Sequence, residues 1–287
     1  EVLRLVETFF STSKDMDLLS KKFVPPLLDA ILTDYYSSVP DAKDANVLSL
    51  LTSAIQKLKQ EMAQHLPKAL KSILETTIPM IKNNFSDYPD HRKNLFQLLR
   101  VINKECFQAF FQVGEADFKL IINSILWAIK HHNRQSYETG LIMLDELLSN
   151  IQTQANEEQK VFFYQSFFTS ILKDIFAVLT DTMHMSGFKY ESSILRKLVF
   201  VVNSNMLPVP LFDQTKENYP DNRNFAQTFL AMILSNAFPN LRKDEIQQFV
   251  VSIFEAANDE TKFTDVLRDF LVVSKEWSSL DTRELYF

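Results

Sequence analysis

The sequence predicts an all-α protein, and three observations lead to this class. Its 287 residues include only three glycines, although a sheet protein of this size needs many tight turns, which glycine normally supplies. Apolar residues recur with the period of an α-helix in one segment after another, and no segment shows the alternation expected of a strand. The 25 phenylalanines, against two tryptophans, also favour many similar layers of helix packed on helix.

Each predicted helix has one apolar face and ends at a polar or proline-containing corner. In the first helix, Val2, Leu5 and Phe9 share a face. In the second, which contains "FVPPLLDAILTDYY", Pro26 removes a helical hydrogen bond and is expected to kink or restart the helix. The predicted helices cover residues 1–12, 16–37, 44–60, 62–84, 88–111, 114–132, 135–153, 156–180, 190–204, 221–237, 242–256 and 259–277.

Grouped two by two, these helices form pairs with a spacing of roughly 43–55 residues, close to that of HEAT-type repeats. One pair is too small to bury its own apolar face, so neighbouring pairs must stack. We therefore expect a single α-solenoid segment of about six HEAT-type helix pairs forming a curved, right-handed superhelical arc, with the second helices lining the concave side. The approximate pairs are 1–40, 44–84, 88–132, 135–180, 190–237 and 242–277, followed by the start of a further helix at 279–287; the proline-rich stretch 205–221 is an insertion inside the fifth pair.

The stretch 83–111, "NNFSDYPDHRKNLFQLLRVINKECFQAFF", contains aspartates, a histidine and the only cysteine of the chain, the residue types of a metal or nucleophile site. If the stretch is one helix, His91 and Cys106 lie about four turns, or roughly 20 Å, apart and cannot share a metal or a proton. Cys106 then falls on the buried apolar stripe, and Ser86 or Asp87 can cap the helix. We interpret the stretch as a helix and not as a site.

A basic corner is formed by Lys130, His131, His132 and Arg134. Adjacent histidines point about 100° apart on a helix, so they are poor metal ligands without a third residue nearby. Two interpretations stay open: positive charge that opposes the helix dipole, and a small contact spot where Lys130, His131 and Arg134 bind a partner protein. Trp127, one turn earlier, is either a core residue or part of a shallow aromatic pocket that belongs to this partner-binding spot.

The phenylalanine-rich run "VFFYQSFF" (161–168) contains more rings than one helix stripe can bury. Some of these rings are expected to face a groove between repeats, which suits the binding of short hydrophobic peptides.

Neither catalysis nor a cofactor is expected. The sequence contains no glycine-rich phosphate loop, HExxH, GxSxG or CxxC motif, and His65 and His184 have no ligand at metal spacing, so no metal site is predicted either. The net charge of −6 disfavours direct binding of nucleic acid or an anionic membrane and favours a basic protein partner. No apolar run reaches the ~18 residues of a membrane span. A single cysteine excludes an internal disulfide and fits a reducing compartment.

Six stretches, in order along nearly the whole chain, resemble one family: "FVPPLLDAILTDY", "NVLSLLTSAIQKL", "YPDHRKNLFQLLRVINKECFQAFF", "FKLIINSILWAIKH", "ILKDIFAVLTDTMH" and "LRDFLVVSKEW". They are similar to the C-terminal HEAT repeats of the major nuclear exportins, the chromosome-region-maintenance receptors for leucine-rich export signals within the importin-β/karyopherin family. The chain also opens in mid-helix without a cap and closes on an unfinished helix. We expect a segment of a longer receptor, with open apolar faces at both ends.

The resemblance implies a transport receptor that binds export cargo together with Ran-GTP and shuttles between nucleus and cytoplasm through nuclear pores. This segment would close the ring, supply secondary contacts to Ran-GTP and offer pockets to the FG-repeat nucleoporins. The groove for export signals, with the family's reactive cysteine, lies in repeats before this segment, and Cys106 does not match that cysteine. The alternative is a HEAT-repeat scaffold or regulatory subunit outside nuclear transport. The third alternative is an α-helical enzyme. Such an enzyme needs convergent polar residues in a pocket, and the sequence indicates none.

Overall fold

The computed structural model describes residues 1–83, 87–239 and 241–274, and every regular element in these ranges is a helix. This confirms the predicted all-α class. The end of the predicted helix 259–277 and the whole of 279–287 lie outside the described residues. The α-helices are α1 (Val2–Thr12), α2 (Val24–Ser37), α3 (Asn46–Leu58), α4 (Leu66–Asn83), α5 (Pro89–Glu105), α6 (Glu115–Ile129), α7 (Arg134–Gln154), α8 (Glu157–Leu179), α9 (Phe188–Asn203), α10 (Asn222–Ala237), α11 (Lys243–Glu255) and α12 (Glu260–Val273).

The chain forms two compact units, residues 1–124 and 125–287. In the first unit, α1, α3 and α5 pack side by side in chain order, and α2 and α4 pack together as a second layer. The core is aliphatic, with side chains such as Leu48, Ile55 and Leu99 buried completely or nearly so. Stacking of first helices on first helices and second on second is the packing expected of HEAT-type repeats, whose hairpins bury their apolar faces against their neighbours.

Polar contacts also join successive helices of each layer in the first unit. The Glu7 carboxylate on α1 accepts hydrogen bonds from Ser49 (3.1 Å) and Ser53 (2.7 Å) on α3. The hydroxyls of Tyr35 on α2 and Thr77 on α4 lie 2.8 Å apart in the core. Polar groups inside a protein need hydrogen-bond partners. These pairs therefore favour the packing of α1 against α3 and of α2 against α4.

The second unit repeats this packing from α7 onward. Helix α7 packs on α9, α8 packs on both α9 and α10, and α12 packs on α9 and α11. The Lys197 ammonium on α9 lies 2.6 Å from the Asp145 carboxylate on α7. At the far end of α9, the Asn203 amide donates a hydrogen bond of 2.5 Å to the Phe254 carbonyl of α11. Polar contacts therefore join α9 to α7 and to α11.

The helix predicted over 16–37 restarts at its prolines, as expected. A turn of π-helix spans Leu18–Phe23, and α2 then begins at Val24 with its prolines in the first turn. The first turn of a helix has no intrahelical acceptor for its N–H groups, so proline loses nothing there. The π-turn ends directly before this first turn, in which the proline nitrogens carry no hydrogen to donate.

The helix predicted over 88–111 is two elements, and the prediction that Cys106 lies within it is wrong. Helix α5 ends at Glu105, Cys106 adopts φ −140° and ψ 40°, and a short 3₁₀ helix follows over Phe107–Phe111. Cys106 is nevertheless buried, and its thiol lies 3.1 Å from the Lys59 carbonyl. Burial, together with nearby Glu105, raises the pKa of the thiol to about 11. The prediction of an inert, buried cysteine agrees with this environment.

The start of α5 also differs from the predicted cap. Ser86 lies outside the described residues, and the N-cap position is held by Tyr88, whose side chain makes no capping hydrogen bond. Its hydroxyl instead donates to the Asp41 carboxylate at 2.9 Å. Pro89 at the first helical position removes one N–H that would need an acceptor.

The proline-rich corner between α9 and α10 contains no regular helix, as its prolines predict. The Asn222 side chain closes it by accepting from the Leu211 amide (2.8 Å) and donating to the Val209 carbonyl (2.9 Å). The rings of Phe212 and Tyr219 lie 5.2 Å apart and form an aromatic cluster at its base. The corner is therefore a packed loop and not an open one.

Part of the apolar face of α1 is open in the first unit. Val2 and Leu5 are 73% and 66% exposed. In contrast, Phe10 is fully buried, and its ring lies 5.9 Å from that of Phe23. The first helix thus shows the open apolar face that stacking repeats predict.

Within the part of the chain that the structure describes, α8 is long and apolar enough to cross a membrane by length and composition alone. Half of the qualifying window is buried inside the protein. A core helix passes the same test, and α8 packs against α7, α9 and α10. The helix is therefore weak evidence for a membrane span.

Candidate functional site

The four residues named as a partner-binding spot come together at the corner between α6 and α7, inside the second unit. Trp127 lies in the last turn of α6, Lys130 and His131 follow the end of that helix, and Arg134 is the first residue of α7. Backbone hydrogen bonds close the corner tightly: the Lys130 amide donates to the Trp127 carbonyl at 3.3 Å, and the His131 amide donates to the Ala128 carbonyl at 3.1 Å.

Both cationic side chains of this corner have carboxylate partners. The Lys130 ammonium lies 2.9 Å from the Asp174 carboxylate on α8, and the Arg134 guanidinium lies 2.8 Å from the Glu138 carboxylate one turn along α7. Lys130 and Arg134 are 46% and 71% exposed, so water screens both pairs and each contributes little stability. The corner presents two ion pairs to solvent. An acidic partner protein would compete with Asp174 and Glu138 for the two cations.

The aromatic part of the corner is half-buried. The Trp127 ring is partly exposed and meets the His131 ring edge-on at a centroid distance of 5.4 Å. The Nδ1 atom of His131 accepts a hydrogen bond of 2.9 Å from the Asn133 amide, so this nitrogen carries no proton in the arrangement described. Asn133 also caps α7 by accepting from the Ser136 amide. Trp127 thus has an accessible edge that a small hydrophobic group could reach.

The two adjacent histidines do not form a metal site in the structure. The rings of His131 and His132 are tilted by 60° with centroids 6.3 Å apart. Among the described residues, no group of three or more histidine, cysteine or acidic side chains is placed to hold a metal ion. Both histidines lie after the end of α6 and before α7, so the helical spacing assumed in the prediction does not apply to them.

Sequence reasoning gave His184 no role, but the structure places it under this corner. The His184 side chain is 2% exposed and lies between the Asp181 carboxylate, 3.0 Å from Nδ1, and the His131 carbonyl, 3.2 Å from Nε2. Its ring also packs edge-on against Tyr137 at 4.7 Å. Only Asp181, three residues earlier, was visible as a local partner in the sequence. His184 ties the α6–α7 corner to the short 3₁₀ segment before α9.

A buried carboxyl group lies against Gly187, the last residue of this 3₁₀ segment. Glu191 on α9 is 1% exposed, and its Oε1 atom makes no hydrogen bond to any described residue. Burial, with a further contribution from the Asp181 charge, raises the pKa of the Glu191 carboxyl well above its usual value. Gly187 makes room for it, because a Cβ there would lie 3.0 Å from the Glu191 Oε1 atom and 2.5 Å from Leu141 Cδ1.

The expected groove-facing rings of the phenylalanine-rich run are mostly absent from the surface. Phe163, Phe167 and Phe168 on α8 are at most 4% exposed, so these three rings belong to the core and do not face a groove. Because α8 contacts α7, α9 and α10, it buries rings on more than one stripe. Phe162 alone of the four phenylalanines is half-buried.

Paired helices that stack layer on layer over the part of the chain that the structure describes define a HEAT-type helical-repeat protein. A family model described as "CRM1 C terminal" matches residues 1–279, and the chain belongs to this family.

Curated relatives agree with the family match over the whole chain. Protein EXPORTIN 1A of Arabidopsis thaliana is 41% identical over 288 residues, Exportin-1 of Dictyostelium discoideum is 40% identical over 287, and Exportin-1 of Schizosaccharomyces pombe is 40% identical over 289. Each alignment covers 100% of this chain but only 26%, 27% and 26% of the relative. The chain therefore spans about a quarter of the length of these relatives.

Proposed function

We propose that the chain is the C-terminal part of a nuclear export receptor, which recognises proteins and catalyses no reaction. The match to the CRM1 C-terminal family over residues 1–279 carries this proposal. The receptor would carry proteins with leucine-rich export signals out of the nucleus together with Ran-GTP. It would shuttle between nucleus and cytoplasm, with neither cofactor, direct nucleic-acid binding nor membrane insertion.

Stacked helix pairs suit this function for a physical reason. Each repeat contacts only its neighbours, so small changes at successive interfaces add up to a change in curvature. A partner that binds one curvature better than another shifts the population toward it and so changes the affinity at a distant site. In the proposed receptor this segment closes the ring, and its curvature couples cargo binding to Ran-GTP.

We assign the α6–α7 corner to partner contacts. Trp127 offers a partly exposed aromatic edge. The aromatic edge suits a phenylalanine of an FG-repeat nucleoporin, and the basic groups of Lys130 and Arg134 suit secondary contacts to an acidic surface of Ran-GTP or cargo. Weak, solvent-screened contacts of this kind permit rapid release.

The aromatic contact can be tested by fluorescence, because Trp127 is one of only two tryptophans in the chain. In a Trp277→Phe background, titration with a phenylalanine–glycine peptide should change the Trp127 emission saturably at millimolar concentration. A serine–glycine peptide of the same length is the control. No saturable difference between the two peptides would remove Trp127 from the nucleoporin contact.

A pull-down from nuclear extract separates the proposed function from a scaffold outside transport. The chain should retain Ran in its GTP form and nucleoporins, and retention of Ran should fall when Lys130 and Arg134 are both changed to alanine. Arg242→Ala, which removes a comparably exposed arginine paired with Glu245, should change nothing. Recovery of a kinase or phosphatase in place of Ran and nucleoporins would favour the scaffold.

A further inference from the structure

A polar groove between α9 and α12 in the second unit has no role in the function proposed above. It measures about 260 Å³ and is lined by both helices, which gives room for a small ionic group with its water. Three basic side chains, Lys189, Arg196 and Arg268, line it together with the two acidic side chains Glu260 and Asp265. The groove therefore has a formal excess of one positive charge, in a chain whose net charge is −6.

The arginine on α9 is only partly satisfied. The Nη2 atom of Arg196 lies 3.1 Å from a Glu260 carboxylate oxygen. Its Nε atom is buried and makes no hydrogen bond to any described residue. A guanidinium presents its N–H groups as a planar fork that matches carboxylate and phosphate oxygens. An oxyanion in the groove would meet the outer Nη end of this fork, in place of the exposed Glu260 carboxylate.

The acidic partners of the arginines are loosely held. Glu260 is 75% exposed and Asp265 is 55% exposed, while the Arg196 and Arg268 side chains they meet are 25% and 19% exposed. The arginines are thus positioned by the fold, and the carboxylates lie toward solvent. Exposed ion pairs of this kind are weak, so a stronger acceptor can displace the carboxylates. The Phe188 ring, 5.8 Å from the Arg268 guanidinium carbon, holds that side chain in place.

Hydroxyl groups complete the lining. The Thr264 hydroxyl donates to the Glu260 carbonyl and accepts from Ser192 at 3.0 Å, so both hydroxyl hydrogens are used, while the Ser193 and Thr261 hydroxyls line the groove as donors for a ligand. The ammonium of Lys189 is exposed at its edge. Two guanidinium groups, an ammonium and several hydroxyls are the donor set that proteins use for the oxygens of a phosphate group.

We propose that this groove binds a phosphate group carried by a phosphorylated side chain of a partner protein. Arg196 is its principal ligand, with Arg268 and Lys189 supplying further positive charge. The exposed rim at Lys189 and Thr261 leaves space for the polypeptide on either side of the phosphate. A phosphate monoester is a dianion at neutral pH, so it satisfies both arginines better than a single exposed carboxylate does.

Isothermal titration calorimetry of the full chain with a short, glycine-flanked phosphoserine peptide tests the proposal. The unphosphorylated peptide and inorganic phosphate are the comparison ligands. The phosphopeptide should bind more tightly than both, and more tightly at pH 7.5 than at pH 5.5, because the second phosphate pKa is about 6. Equal binding of the unphosphorylated peptide would overturn the site. Inorganic phosphate that binds as tightly as the peptide would overturn its assignment to a phosphorylated protein.

Three variants identify the groove as the binding position. Arg196→Gln should weaken phosphopeptide binding about tenfold or more, since it removes charge-assisted hydrogen bonds. Arg242→Gln, at an exposed arginine just before α11, should leave phosphopeptide binding unchanged. Glu260→Gln removes the competing carboxylate and should strengthen binding a few-fold, a gain that no folding defect can produce. Equal losses in the two arginine variants, or weaker binding by Glu260→Gln, would overturn the proposal.

Discussion

Replacing Glu191 with glutamine removes a titrating carboxyl group that the fold buries almost completely beside Gly187. The variant keeps the size and shape of the side chain but cannot ionise. Because burial and the Asp181 charge raise the folded-state pKa of the Glu191 carboxyl, its protonated form is favoured in the folded protein. The stability that this group contributes is fully present below its unfolded-state pKa and is lost as pH rises toward the folded-state value.

The magnitude follows from linkage. Between the two pKa values the folded state holds about one proton more than the unfolded state, so the free energy of unfolding falls by about 1.4 kcal/mol per pH unit. Glu191→Gln lacks this dependence. The free energy of unfolding of the variant should therefore rise relative to that of the wild type by up to about 1.4 kcal/mol for each pH unit between the two pKa values. In a unit of this size, each kcal/mol corresponds to roughly 2–4 °C in Tm.

Urea denaturation at pH 5, 6, 7 and 8, followed by circular dichroism, measures this difference directly. The free energy of unfolding of Glu191→Gln should move above that of the wild type as pH rises, and the gap should narrow at acid pH. Glu255→Gln, at an exposed position at the end of α11, should follow the wild type at every pH. Parallel curves for the wild type and Glu191→Gln would refute the account of a buried, uncharged carboxyl.

Three further changes test the packing of the second unit and the environment of the cysteine. Gly187→Ala should lower the free energy of unfolding by about 1–3 kcal/mol, because its Cβ would lie 2.5 Å from Leu141 Cδ1 in a filled core; an unchanged urea midpoint would contradict this. Lys197→Met should cost roughly 3 kcal/mol, because it leaves the Asp145 carboxylate, 19% exposed, without its cation. The double variant Lys197→Met/Asp145→Leu should recover most of that loss, and failure to recover would show that packing and not charge is responsible. Cys106 should react with a thiol reagent far more slowly in the folded chain than in urea, since burial raises its pKa to about 11; equal rates would place the thiol at the surface.

The helical class and the approximate helix positions were predictable because they depend on local signals. The 3.6-residue period, the near absence of glycine and the two prolines at the start of α2 act within a few residues of where they lie. The break at Cys106 was not predictable in this way. The 3₁₀ helix over Phe107–Phe111 keeps Phe107 and Phe110 buried, so the apolar period continues although the α-helix has ended.

The polar contacts that organise the candidate sites depend on residues far apart in the chain. His184 meets the carbonyl of His131, 53 residues earlier, and Arg196 meets Glu260, 64 residues later. No local pattern indicates such pairs. The composition of the basic corner was visible in the sequence, but its pairing with Asp174 on α8 follows only from helix packing.

The most direct test of the central claim is the effect of Ran on cargo binding by the full-length receptor that contains this chain. Fluorescence anisotropy with a labelled leucine-rich export peptide should give an affinity about tenfold or more higher with Ran-GTP than with Ran-GDP, the size expected for coupling between two sites. An affinity that is the same with both forms of Ran, or no binding of the peptide at all, would contradict the assignment to an export receptor.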